Sequence, residues 1–212
     1  MAETGAASTE VTEVETEIEL QSKVSFPVKI DDNRELVALG CRKKGVVGIN
    51  FKIYSFGIYA DGASMKEHLK AKFPTPPMKP TEEFYKAVID ADIGMVLRMV
   101  IVFGGLNMSI IRKSLDESIG ASLKKLTDGQ DNTELVKKLM GEVNSSLKLP
   151  SGSMIEIAKL PGFILQTKVK GEVVSSVESE LLCRAYFNMY LGDSPFDKEA
   201  KDHAGTYLLS LV

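Results

Sequence analysis

Hydrophobic and polar positions follow two different periods along this chain, and the switch points divide it into elements. From Val24 to Tyr59 the residues are rich in Val, Ile, Phe and Tyr with partial alternation, broken at Pro27, Asp31-Asp32-Asn33, Gly40 and Gly45. Short β-branched and aromatic runs bounded by turn formers predict three or four strands, and the glycines exclude a long helix. A short helix is expected from Ala63 to Ala71, stopped by "FPTPPMKP", whose prolines remove backbone donors and force a loop. Thr81 then suits an N-cap for "EEFYKAVID", with two acidic residues in the first turn. "GMVLRMVIVF" reads as a buried strand. In "NMSIIRKSLDESIGASLKKL", Ile111, Leu115, Ile119 and Leu123 recur every fourth residue, the apolar stripe of a helix that Gly129 helps to stop. "TELVKKLM" predicts a further helix.

Toward the C-terminus, Ser153–Leu160 and Phe163–Val169 predict a hairpin across Pro161-Gly162. Two helices are expected to follow, from about Val177 to Leu191 and from about Asp197 to Leu209. The order is strands, helices, a strand, helices, a hairpin and helices again. Without regular βα alternation, this predicts an α+β fold in which helices pack on a mainly antiparallel sheet.

Composition narrows the function classes. At 212 residues the chain accommodates one domain with a full core. Its net charge of −3, spread over both signs, offers no footprint for nucleic acid. Cys41 and Cys183 lie far apart in apolar surroundings, which predicts reduced, structural thiols. His68 and His203 are the two histidines, poor material for a zinc site or a serine-histidine triad, and no cofactor or metal is expected. The longest apolar run, "IGMVLRMVIVF", is short and interrupted by Arg98, so no membrane span is expected. Residues 1–21 are glutamate-rich with many small residues, predicting a disordered acidic lead-in before a single domain over 22–212.

Most motifs have a plain structural reading. The glycine pair in "FGGLNMS" lacks Walker lysine spacing and the dinucleotide fingerprint, and a strand-to-helix turn explains it better than a phosphate cradle. Met95, Met99 and Met108 most simply suit a core, and otherwise the wall of a lipid-sized cavity. The pairs Glu82-Glu83 and Asp116-Glu117 suit helix starts and solvated faces. Arg42 and Arg98 stand apart because each interrupts an apolar strand. A buried guanidinium is costly unless it meets a carboxylate, a hydrogen-bond network or an anionic ligand. The plain reading of either is a structural ion pair or a strand end that reaches water; the sharper one is that Arg42 binds an anion at the mouth of a mostly apolar pocket.

The stretch "LGCRKKGVVGINFKIYSFGIYADG" resembles the chalcone isomerase fold family of plants, with an arginine near the end of one strand and an FxKxxxxGxY pattern in the next. "LRMVIVFGGLNMSIIRKSLDESIG", "LPSGSMIEI" and "SSVESELLCRAYFNMYLGDSPFDKEAK" extend the likeness, in order, over roughly Ser22 to Leu211. The resemblance implies an open-faced β-sandwich, a large antiparallel sheet backed by a layer of helices with a cleft between them. In the catalytic branch the arginine matching Arg42 polarises a chalcone while it closes to a (2S)-flavanone by intramolecular Michael addition. A preorganised guanidinium suits that charge development.

The sequence departs from the catalytic pattern around that arginine. Tyr54 replaces a threonine, Ile101 a lysine, Ile110 a tyrosine and Glu117 an asparagine, while Met189 and Tyr190 stand where the enzymes have a small hydroxyl residue followed by an apolar one. Each lost donor is typically worth about 3 kcal/mol of transition-state stabilisation. "AYFNMYLGDSPFDKEAK" instead resembles the non-catalytic, fatty-acid-binding branch, in which residues matching Arg42 and Tyr54 hold a carboxylate and an apolar cleft takes the chain. The implied binding set is Arg42, Tyr54, Ile101, Val102, Ile110, Glu117, Met189 and Tyr190. The expectation is a monomeric fatty-acid-binding protein without nucleic-acid partners. The alternative is a weak chalcone isomerase with Arg42 as electrophilic catalyst and chalcone or flavanone as ligand. A third reading, a non-catalytic partner of flavonoid enzymes, rests on fold analogy alone. The branch implies the plastid stroma after transit-peptide removal, or the cytoplasm, and the mixed pattern also suits a sequence near the common ancestor of both branches.

Overall fold

The computed structural model describes residues 14–46 and 48–212. Among the described residues ten strands and six helices follow in the order β1 (Thr16–Ile18), β2 (Ser25–Pro27), β3 (Arg34–Val46), β4 (Ile49–Asp61), α1 (Gly62–Lys72), α2 (Glu82–Asp90), β5 (Met95–Ile101), β6 (Leu106–Asn107), α3 (Met108–Leu126), α4 (Thr133–Lys138), β7 (Lys148–Leu149), β8 (Met154–Leu160), β9 (Ile164–Val169), β10 (Glu172–Glu178), α5 (Glu180–Leu191) and α6 (Lys198–Ser210). Six strands form one antiparallel sheet in the order β10-β9-β8-β5-β4-β3. The α+β, open-faced architecture expected from the sequence is the one present.

Helix starts lie where their capping side chains are. The side chains of Asp61, Thr81, Asn107, Ser179 and Asp197 each accept from a backbone N–H in the first turn of the helix that follows. Ile111, Leu115, Ile119 and Leu123 are buried along one face of α3, as their spacing requires. The main core lies between the sheet and the helices, where Phe56 and Ile58 of β4, Leu97 and Met99 of β5, and Ile155 and Ile157 of β8 meet Tyr186, Phe187 and Tyr190 of α5. A smaller cluster of Leu36, Tyr59, Val96 and Ala158 occupies the opposite face. The β1–β2 region covers that second face: Tyr59 Oη donates to Pro27 O at 2.9 Å and Ser55 Oγ to Ser22 Oγ at 2.6 Å.

Two expectations need correction. Residues 16–18, assigned to a disordered lead-in, form β1 in register with Ser25–Pro27, and Glu19 beside it is buried. Its carboxylate accepts from the backbone N–H groups of Gln21 and Ser22 and the Ser22 hydroxyl, giving a locally polar segment a fixed turn. Residues 1–13 lie outside the described residues. Val177 and Glu178, assigned to a helix, belong to β10, an edge strand paired with β9, and α5 begins only after its Ser179 cap. A largely exposed edge strand carries no strong apolar period, so tertiary pairing decided it.

Edge strand β3 is closed off by α6. Asp197 uses one carboxylate oxygen to cap α6 at Ala200 N, 3.2 Å, and the other to accept from the Cys41 N–H of β3 at 3.0 Å. One side chain therefore starts the helix, satisfies an edge donor and fixes helix against strand. Gly40 permits this approach, since a Cβ there would collide with Phe56 and with Ala200 of α6.

Candidate functional site

The two arginines have different fates. Arg98 of β5 stands directly across from Glu156 of β8 in the antiparallel register, and its Nε lies 2.8 Å from Glu156 Oε1. It is the structural ion pair. Arg42 of β3 has no carboxylate within 4.0 Å among the described residues. Its guanidinium lies over Phe196, 3.7 Å from Cζ to the ring centroid, a cation–π contact. Phe196 immediately precedes Asp197, so the strand-to-helix tie described above also sets the ring beneath the cation.

Arg42 opens onto a hollow of about 410 Å³ between the β3–β4 end of the sheet and α3. Register places Tyr54 opposite Arg42, but Lys43 pairs with Lys52, so Ile53 is the extra residue of a bulge. A bulge turns two consecutive side chains to one face. Ile53 and Tyr54 both line the hollow, while Ser55 bonds on the other side of the sheet. Met99, Leu106, Ile111 and Leu115 supply apolar wall, and Lys44, Lys113 and Glu117 supply charge.

Tyr54 is buried and its hydroxyl meets that of Tyr190 at 3.0 Å. Burial pushes the Tyr54 phenol well above its ordinary pKa and Tyr190 adds to this, while the Arg42 charge offsets a part. Burial likewise raises Tyr190, reinforced by Tyr186. Both therefore stay protonated and can donate. One O–H of the pair is consumed between them, and the other remains to be given to a guest.

Of the eight residues implied by resemblance, Arg42, Tyr54, Ile110 and Glu117 line the hollow. Ile101 is buried in the core opposite Tyr54 in register, and Val102 donates its N–H to Ile53 O, so both brace the bulge rather than the cavity wall. Tyr190 acts through its bond to Tyr54. Met189 lines an adjoining hollow of about 220 Å³ that shares Ser118 and Phe196 with the larger one. Sequence reasoning missed Phe196, whose signal was an aromatic residue inside the polar turn "GDSPFDK". The "FGGLNMS" segment is the turn expected: Asn107 Oδ1 accepts from Ile110 N, and Met108 N and Ser109 N donate to Leu147 O and Ser145 O, so the first-turn donors of α3 are already taken. No group of three potential metal ligands occurs among the described residues, and none of their helices is long and apolar enough to cross a membrane.

Residues 78–203 match the family model described as chalcone isomerase-like. The chain is 47% identical over 196 residues to chalcone isomerase-like protein 1 of Humulus lupulus, covering 92% of each. It is 37% identical over 192 residues to fatty-acid-binding protein 1 of Arabidopsis thaliana, covering 89% of this chain and 68% of that one. The crystal structure of the Arabidopsis thaliana fatty-acid binding protein AtFAP1 superposes with a TM-score of 0.86 at 36% identity, covering 93% of this chain and 98% of that one. With the family match spanning more than half of its length and two relatives well above 30% identity, the chain belongs to the chalcone isomerase-like family.

Proposed function

We infer that this protein binds a fatty acid, with its carboxylate on Arg42 and Tyr54 and its alkyl chain along the apolar wall toward α3. The observation that carries this reading is a cation with no carboxylate within 4.0 Å among the described residues, set at an otherwise mostly apolar hollow. A guanidinium fork and a phenol together offer charge-assisted hydrogen bonds to both oxygens of a carboxylate. In the occupied site Tyr190 donates to Tyr54, which frees the Tyr54 proton for the ligand. The volume falls in the range of small-molecule sites, and Met99, Ile110 and Leu115 favour hydrocarbon over a polyhydroxylated guest. The fatty-acid-binding relatives support the same ligand class.

Native mass spectrometry of protein from a heterologous host, paired with a chalcone cyclisation assay, tests the reading. The expected result is a co-purified fatty acid and flavanone formed at the spontaneous rate as a racemate. Enantioselective turnover would replace this reading with the isomerase one.

A further inference from the structure

The rim of the hollow differs from the rest of the surface. Ile49 at the tip of the β3–β4 hairpin is 60% exposed, Ile110 at the start of α3 is 49% exposed and Phe103 in the preceding loop is 41% exposed. They belong to one patch. Phe51, two residues from Ile49, packs edge-on against Phe103 with centroids 5.6 Å apart, and Ile53 O accepts from the N–H groups of Val102 and Phe103. Lys44, opposite Phe51 in register, lines the mouth with Ile110. Charge on the β3–β4 side of this rim is of one sign. Between Cys41 and Ile53 the sequence contains Arg42, Lys43, Lys44 and Lys52 and no carboxylate, in a chain whose net charge is −3. Lys113 adds a cation from α3, with Glu117 a turn further along. Among the described residues, none of these lysines has a carboxylate within 4.0 Å. The bulge puts Lys44 and Phe51 on the cleft face and Lys43 and Lys52 on the other, so cations flank the apolar tip on both sides.

We propose that this rim docks onto an anionic lipid bilayer, with Ile49, Phe103 and Ile110 in the interface and the lysines on the headgroups, and that the hollow exchanges its ligand there. Exposed apolar side chains ringed by lysine fit the boundary between acyl chains and anionic headgroups, where each contributes a favourable share. An acidic protein would satisfy the lysines but gives no account of an apolar tip placed at the opening of an apolar cavity. Docking stands on this surface alone, whereas ligand exchange rests on the fatty-acid reading.

The test is flotation of the full chain with vesicles of equimolar phosphatidylcholine and phosphatidylglycerol, against vesicles of phosphatidylcholine alone. Wild type is expected on the anionic vesicles only, with binding weakened by salt. The double variant Lys43→Gln/Lys52→Gln, which leaves the residues lining the hollow intact, is expected to bind about 25-fold more weakly, at about fivefold per lysine. Ile49→Ser is expected to weaken binding several-fold at unchanged melting temperature. Equal binding to both vesicle types, unchanged binding by either variant, or no vesicle binding by folded wild type overturns the proposal, the last leaving the rim to an acidic protein. Calorimetry with free fatty acid in vesicle-free buffer reads the hollow separately, so loss of docking and loss of ligand binding are told apart.

Discussion

Replacing Tyr54 by phenylalanine removes one oxygen, and the structure fixes what that costs. The Tyr190 hydroxyl is buried, does not line the hollow, and has Tyr54 as its hydrogen-bond partner. Tyr54→Phe therefore leaves a buried polar group unpaired, at about 1–3 kcal/mol of stability. Tyr190→Phe is expected to be cheaper, because Tyr54 lines the hollow, from which water can reach the hydroxyl it orphans. Replacing both tyrosines removes donor and acceptor together, which is close to neutral. Urea denaturation of the four proteins at constant m-value should give a coupling of about −2 kcal/mol, the double variant being more stable than Tyr54→Phe alone. Additive losses within about 0.5 kcal/mol would refute the pairing. The same variant should weaken fatty-acid binding at least about tenfold, since a hydrogen bond to a charged group is worth about 1.5–3 kcal/mol.

Two further predictions concern the scaffold. Glu156→Ala strands Arg98 in a site where both side chains are four-fifths buried, and should cost about 2–3 kcal/mol by chemical denaturation, while the Arg98→Met/Glu156→Leu pair recovers most of it. Lys159 is fully buried, donates to Ile89 O at 3.0 Å and Ala91 O at 2.7 Å, and burial pulls its pKa down from 10.5 to about 8. Between those values the unfolded lysine holds a proton that the folded one has released, so this residue makes stability rise with pH across that window. Relative to Lys159→Met, wild type should gain about 2 kcal/mol between about pH 7.5 and 9.5; a pH-independent difference would contradict the assignment.

The fold was legible wherever a local signal and its tertiary outcome agree. Thr81 announces α2, and the fourfold spacing from Ile111 to Leu123 announces the buried face of α3. Strand β10 was not legible, because its pairing to β9, not its own pattern, makes it a strand. In the site, that Arg42 and Arg98 are anomalous follows from the sequence. Which of them is free does not, since the answer lies in Glu156, 58 positions beyond Arg98. The Tyr54–Tyr190 contact spans 136 positions and the Asp197–Cys41 tie 156, so neither leaves a local trace. Resemblance supplied Arg42 and Tyr54 as a pair; the bulge at Ile53 is the physical device that turns them onto the same cavity.

The central claim is that the unpaired Arg42 guanidinium receives a ligand carboxylate. Isothermal titration of wild type and Arg42→Ala with a long-chain fatty acid, and of wild type with the corresponding methyl ester, tests it most directly. The predicted result is at least about a 30-fold loss of affinity on removing either the guanidinium or the carboxylate charge. Equal affinity of wild type for acid and ester, or undiminished binding by Arg42→Ala, would contradict it.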